Sequence, residues 1–155
     1  SVTFCLSKGL SCPVGSVLCG SHEFIRRARK YRKMVGGGMR QAGVFAAAGV
    51  VALNEMVDRL VEDHQNARIL AEGLASLSGL ELDMATVQTN ILIFRVRPGS
   101  MSADDFSAAL SVEGVRCGSI GDNKIRMVTH YGITADDVRE AVRAAERVLR
   151  APVLR

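Results

Sequence analysis

The feature that most constrains the fold is a long run of helical periodicity between Met39 and Leu77. Apolar residues recur there at intervals of three and four: Val44, Leu53, Met56, Val57, Leu60, Val61, Ala67, Leu70, Ala71 and Leu74. This spacing predicts one very long helix or two helices joined end to end. At 1.5 Å per residue, a single helix of this kind would span about 55 Å, which exceeds the width of a small domain.

The two halves of this run differ in polarity. Residues 42–51 are almost entirely apolar, whereas the later part carries charged side chains on one face: Asp58, Arg59, Glu62, Asp63, Arg68 and Glu72. A helix that is apolar all round is typical of a buried position, and an amphipathic helix of a surface. The sequence therefore predicts that the first half is buried and that the second half lies on a surface.

Other patterns flank the helical run. Val2–Leu6 and Val14–Cys19 are short β-rich segments, and Ser21 is placed to cap a helix that ends at the glycines 36–38. After Ser78 the predicted elements alternate, with strands at 80–84, 90–97, 115–117 and 124–129 and helices that begin after Ser102 and Thr134. We therefore predict an α/β chain with domains at 1–77 and 78–155, the second built on a mixed or antiparallel sheet.

Composition excludes several classes of protein. The chain has 155 residues, of which 48% are hydrophobic and 23% charged, so it is neither disordered nor collagen-like. Its longest apolar stretch, Ala42–Leu53, is shorter than the roughly 18 to 20 residues that a membrane span needs. The four cysteines lack the close pairs of a zinc site and are too few to stabilise a domain of this size by disulfide bonds. We expect no metal site, no membrane span and a cytoplasmic location.

Lys8 is the first candidate for chemistry. It stands between Ser7 and Gly9 at the end of an apolar strand, where nearby packing could lower the pKa of its ammonium group. A neutral lysine amine is what Schiff-base chemistry requires. The alternative is a strand-end lysine that extends into water.

Two basic segments are also candidates. Glycines 36–38 and Arg40 precede a predicted helix, where backbone amides favour an anion, although a triple glycine is also typical of a plain hinge. In the stretch 26–33, six of eight residues are Lys or Arg. Such a run could contact nucleic acid, but with Tyr31 as its sole aromatic residue it is more typical of a solvated helix face.

Arg126 stands alone among apolar neighbours in the predicted strand 124–129. If it points inward it needs a partner, and the carboxylate of a substrate would suit its planar guanidinium. Otherwise it faces solvent. His130, just after this strand, is either a base or a loop histidine.

These segments together resemble a known family. Ser7-Lys8-Gly9-Leu10, the following Pro13-Val14-Gly15-Ser16, and Gly36-Gly37-Gly38-Met39-Arg40-Gln41 look like the pyridoxal-phosphate half-site of the low-specificity L-threonine aldolases. The later segments Glu62-Asp63-His64, Thr89-Asn90 and Arg126-Met127-Val128-Thr129-His130 resemble the same family in the same order. The resemblance covers the whole chain.

The resemblance implies roles for four residues. Lys8 would form the Schiff base with pyridoxal phosphate, and Arg126 would hold the α-carboxylate of the amino-acid substrate. Arg40 would serve the cofactor phosphate, with a neighbouring subunit's site as an alternative, and Lys33 would lie near it. The implied fold is the aspartate-aminotransferase type: the end of a large α/β domain, a long connecting helix and a small C-terminal α/β domain.

The implied reaction is the cleavage of threonine or allo-threonine to glycine and acetaldehyde. The family's Gly-Thr phosphate loop, ring-stacking His and pyridine-pairing Asp precede the lysine and have no counterpart here. Because the chain also lacks a starting Met, we expect a piece of a longer or multi-chain enzyme, inactive alone and assembled as a dimer or tetramer with exposed apolar surface. The alternatives are another pyridoxal-phosphate lyase, an aminotransferase, or a non-catalytic remnant that binds nucleic acid or a protein through its basic helix.

Overall fold

The chain divides into two units, Ser1–Leu60 and Val61 to the C-terminus. A computed structural model describes residues 1–99 and 101–151. The other residues, including the last four of the predicted domain 78–155, lie outside the described residues. The division between the units falls 17 residues before the predicted boundary at 77/78. Residues 61–77, predicted as part of the first domain, therefore belong to the second unit.

The first unit begins with a hairpin. Strands β1 (Val2–Cys5) and β2 (Ser16–Cys19) pair antiparallel, with Val2 opposite Cys19 and Cys5 opposite Ser16. Helix α1 (His22–Met34) starts at Ser21, whose hydroxyl accepts a hydrogen bond from Phe24 N at 3.3 Å. The strands and the cap are thus as the sequence predicts.

The long helical run forms two helices, α2 (Gly43–Glu55) and α3 (Leu60–Ala75). The predicted burial of the apolar first half is wrong for this chain, because in α2 Gly49 and Ala52 are the buried residues. Val44 remains 75% exposed, and Val50 and Val51 are also exposed. The physical reason is that α2 packs on a single small cluster made by the hairpin loop, which covers one narrow strip of its surface. The exposed apolar surface that the resemblance implies is present here.

The second unit is built on a four-stranded antiparallel sheet in the order β3-β4-β6-β5. Its strands are β3 (Leu80–Glu81), β4 (Ile91–Val96), β5 (Gly118–Ser119) and β6 (Lys124–Val128). The predicted strand 115–117 is wrong, because these residues precede β5 without pairing. A short 3-10 helix (Met84–Thr86) follows β3.

Three helices supply the core of the second unit on one side of this sheet. They are α3, α4 (Ala103–Val112) and α5 (Ala135–Arg150), and their apolar residues join those of the sheet in one cluster. Ser102 caps α4 and Thr134 caps α5, as predicted. The hydrogen bonds from Thr134 to the Asp137 carboxylate lower the pKa of that group. At Gly73 the helices α3 and α5 come so close that a Cβ atom would lie 2.5 Å from Val142 Cγ2.

Alternation along the two central strands separates a core face from an outer face. Leu92 pairs with Met127 and Phe94 with Ile125, and all four are buried. The intervening residues Ile91, Ile93, Arg126 and Val128 lie on the outer face and are exposed. A period of two is what a sheet with one covered face requires. No helix among residues 1–99 and 101–151 is long and apolar enough to cross a membrane.

Candidate functional site

Lys8 lies in the loop of the β1–β2 hairpin, residues 6–15. The loop is closed by backbone hydrogen bonds from Leu6 N to Gly15 O (2.9 Å) and from Cys12 N to Leu6 O (3.0 Å). The carbonyl of Lys8 accepts a further bond from Ser11 N at 2.8 Å. The backbone on both sides of Lys8 is therefore fixed within the loop.

Apolar packing attaches the same loop to α2. Leu6, Leu10 and Cys12 are buried together with Ala52. At Gly49 of α2, a Cβ atom would come within 3.1 Å of Leu6 Cδ1, so the small residue allows the loop to approach the helix closely. Lys8 is thereby held between two buried anchors, Leu6 and Leu10.

The Lys8 side chain is exposed and makes no hydrogen bond or ion pair with any described residue. Of the two interpretations of Lys8, this placement fits the lysine that extends into water, because its neighbours Leu6 and Leu10 turn into the core while Lys8 does not. What the loop provides is an unpaired primary amine on a fixed backbone. Such an amine can condense with an aldehyde.

Of the two interpretations of the glycine run, an anion site or a hinge, the backbone hydrogen bonds favour the hinge. Gly36 N donates to Lys33 O at 3.2 Å, Gly37 N donates to Arg32 O at 2.8 Å, and Gly38 N donates to Gly36 O at 2.9 Å. Gly36 adopts φ +82°, which glycine favours. The run therefore terminates α1 and turns the chain towards α2.

Arg40 and Lys33 lie on either side of this turn. Both are exposed, and the Lys33 ammonium lies next to the run, 3.5 Å from where a Cβ atom of Gly38 would be. Neither has an ion-pair partner among the described residues. Two unpaired cations near one turn favour an anionic ligand. The basic helix α1 itself has no buried residue, as expected for a solvated face.

Arg126 belongs to the second unit, whereas Lys8, Lys33 and Arg40 belong to the first. It lies on the outer face of the sheet, opposite Ile93 of β4 and Gly118 of β5. Its guanidinium has no partner among the described residues, and Ile91 and Val128 are exposed on the same face. An unpaired guanidinium with apolar neighbours suits the carboxylate of a small amphipathic ligand.

Two other features of the second unit lie near the end of β6. His130 Nδ1 lies 2.8 Å from Tyr131 O, which favours its interpretation as a loop histidine. A cavity of about 440 Å³ is lined by α5, the loop after α4, and the segment from Met127 to His130 at the end of β6. Arg126 does not line it, although Val128, which is exposed on the same face of the sheet as Arg126, does.

Sequence reasoning assigned no role to two polar residues near the end of β6, the buried Thr129 and the half-buried Asn90. Thr129 is 2% exposed, and Asn90 lies beside it at the start of β4. In the sequence, Thr129 is visible only as a threonine directly after the alternating strand 124–128. Its hydrogen-bond partners come from distant parts of the chain. Local patterns do not reveal such contacts.

Comparison with known proteins gives a family and a set of relatives. The family model described as beta-eliminating lyase matches residues 1–97. Low-specificity L-threonine aldolase 1 of Arabidopsis thaliana is 44% identical over 89% of this chain and 39% of its own length. The low specificity L-threonine aldolase of Escherichia coli is 42% identical over 90% of this chain and 40% of its own length. The chain thus spans about two fifths of these relatives, and the resemblance found in its motifs is confirmed.

Solved structures agree on the fold. A protein of Listeria monocytogenes, named as an L-allo-threonine aldolase, matches with a TM-score of 0.75 at 19% identity, over 95% of this chain and 44% of its own. The 8-amino-7-oxononanoate synthase of Francisella tularensis matches with a TM-score of 0.70 at 16% identity, over 94% of this chain and 44% of its own. These likenesses confirm the predicted fold class, the C-terminal part of an aminotransferase-type fold.

Proposed function

We propose, from the premise that this chain belongs to the beta-eliminating lyase family, that it is the C-terminal part of an enzyme that cleaves β-hydroxy amino acids with pyridoxal phosphate. The substrate class is threonine or allo-threonine, and the products are glycine and acetaldehyde. The observation that carries the proposal is the unpaired amine of Lys8, on a loop that apolar packing holds in place. This loop lies within the segment that the family model matches.

The residues present fit pyridoxal phosphate by the chemistry of their side chains. Lys8 offers a primary amine to the cofactor aldehyde, and Arg40 and Lys33 offer cations to its phosphate. All three are exposed and unpaired among the described residues. Lys8 would hold the cofactor covalently, and Arg40 would bind its phosphate in the same site or in that of a neighbouring subunit, with Lys33 near it.

The chain's own residues would orient the substrate. Arg126 would bind the α-carboxylate through two parallel hydrogen bonds, which fix the rotation of the amino acid about Cα. That orientation decides which bond of Cα is broken. When bound, pyridoxal phosphate supplies the electron-withdrawing ring that stabilises the charge left on Cα after the Cα–Cβ bond breaks.

We also propose a cytoplasmic homodimer or homotetramer, in which the rest of the enzyme comes from a longer chain or from another one. The four cysteines are free thiols, which fits a reducing compartment. Exposed apolar residues on α2, among them Val44 and Val50, fit an interface with further protein. The location can be checked by fractionation and the assembly by light scattering.

Product analysis of the longer protein tests the proposed reaction. Incubation with pyridoxal phosphate and L-threonine or L-allo-threonine is expected to yield glycine and acetaldehyde in equal amounts. Parallel incubations with L-serine, and with an amino acid plus a 2-oxo acid, detect β-elimination and transamination. Pyruvate and ammonia would identify another lyase, and amino-group transfer an aminotransferase. Salt-dependent binding of nucleic acid without any turnover would favour the basic helix α1 as the functional element.

A further inference from the structure

A hydrogen-bonded cluster around the buried Thr129 lies at the end of β6, three residues beyond Arg126. The Thr129 hydroxyl donates to Asp63 O of α3 at 2.6 Å. The Thr129 amide donates to Asn90 O at 3.0 Å, and Asn90 Nδ2 donates to Thr129 O at 2.8 Å. Thr129 therefore connects β6 both to the start of β4 and to α3.

This cluster fixes the part of β6 that has the fewest strand neighbours. On one side of β6, strand β5 pairs at two positions, Gly118 with Arg126 and Ser119 with Ile125. Beyond Arg126, β6 pairs with β4 alone, up to Ile91 opposite Val128. The contact from Thr129 to α3 thus supplies the support that a longer β5 would otherwise provide.

The Arg126 side chain itself has little lateral support. It faces Ile93 and Gly118, neither of which offers a hydrogen-bond acceptor from its side chain. Its guanidinium has no partner among the residues described. The position of the guanidinium therefore follows the position of the β6 backbone, which Thr129 ties to α3.

We propose that Thr129 is a positioning residue for Arg126, acting through β6 to place the guanidinium for the substrate carboxylate. This inference rests on the proposed function. In this role Thr129 acts through Arg126 and does not itself contact the substrate. Loss of its hydroxyl releases the end of β6 from α3 and weakens the binding of the carboxylate.

Thr129→Val in the longer protein tests this role, because valine keeps the shape and removes the hydroxyl. We expect KM for threonine to rise on the order of three- to tenfold, with kcat within about twofold. The inhibition constant of threoninol, in which a CH₂OH group replaces the carboxylate, is expected to stay within about twofold of the wild-type value. Thr129→Ser keeps the hydroxyl and is expected to have the wild-type KM.

Asn66→Ala is the matched control. Asn66 Nδ2 donates to Ile133 O at 2.9 Å, so this variant also removes one hydrogen bond between α3 and the segment after β6. We expect an unchanged KM in Asn66→Ala. In an Arg126→Lys background, Thr129→Val is expected to add less than about twofold to KM, because both changes act on the same contact.

The outcomes separate the two proposals. A wild-type protein that does not cleave β-hydroxy amino acids overturns the proposed function and this inference with it. A wild-type protein that cleaves threonine, with an unchanged KM in Thr129→Val or an equal rise in Asn66→Ala, overturns this inference alone. A Thr129→Val variant that does not fold also counts against it, because Thr129 would then serve the fold and not the placement of Arg126.

Discussion

Replacement of Lys8 by Ala in the longer protein is expected to lower kcat for threonine cleavage by at least about a thousandfold. The reason is that the Lys8 amine is the group proposed to hold pyridoxal phosphate, and its loss removes the covalent attachment. Because the Lys8 side chain is exposed and its neighbours Leu6 and Leu10 anchor the loop, the fold is expected to survive the change. Steady-state kinetics and a thermal unfolding curve measure the two effects.

Lys30→Ala is the matched control for this loss. Lys30 is an exposed lysine on α1 for which no role is proposed. Its replacement is expected to leave kcat within about twofold, as for most surface changes. If Lys8→Ala retained more than a tenth of the wild-type kcat, or if Lys30→Ala lost as much activity, the assignment of Lys8 would be wrong.

Arg126→Lys is expected to raise KM for threonine about ten- to a hundredfold. Lysine keeps the positive charge but lacks the fork that forms two parallel hydrogen bonds with a carboxylate. Loss of one charge-assisted hydrogen bond of about 1.5–3 kcal/mol accounts for an effect of this size. Because Arg126 is exposed on the outer face of the sheet, the stability of the second unit is expected to stay nearly constant. KM is measured at saturating pyridoxal phosphate.

Arg139→Lys provides the comparison for Arg126→Lys. Arg139 is an exposed residue of α5 whose guanidinium pairs with Asp136 at 2.6 Å. Exposed ion pairs contribute little, so KM is expected to remain unchanged. A KM in Arg126→Lys that stays within twofold of the wild-type value would show that Arg126 does not bind the carboxylate.

The parts of the fold that local chemistry determines were predictable from the sequence. Ser21, Ser102 and Thr134 each precede a helix and can bond an amide within the next turn, and each does so in the structure. The β-rich segments 90–97 and 124–129 likewise predict strands, and β4 and β6 form there. In the three caps the hydrogen-bond partners lie three residues apart along the chain.

The features that the sequence did not predict depend on distant partners. The apolar run of α2 indicates burial, but how much of it is covered depends on what the rest of the unit supplies. The spacing of the glycine run suits an anion-binding loop or a hinge. The Gly36 and Gly37 amides bond carbonyls at the end of α1, and the Gly38 amide bonds Gly36 O. The Thr129 hydroxyl donates a hydrogen bond to the carbonyl of Asp63, which is 66 residues away in the chain.

The measurement that tests the central claim most directly is the location of pyridoxal phosphate on the protein. The protein is mixed with pyridoxal phosphate and reduced with borohydride, and the pyridoxyl adduct is located by peptide mass spectrometry. This chain contains four lysines, Lys8, Lys30, Lys33 and Lys124. We expect an adduct concentrated on Lys8 that disappears in Lys8→Ala and persists in Lys30→Ala. Labelling scattered over the surface lysines, and unchanged in Lys8→Ala, would contradict it.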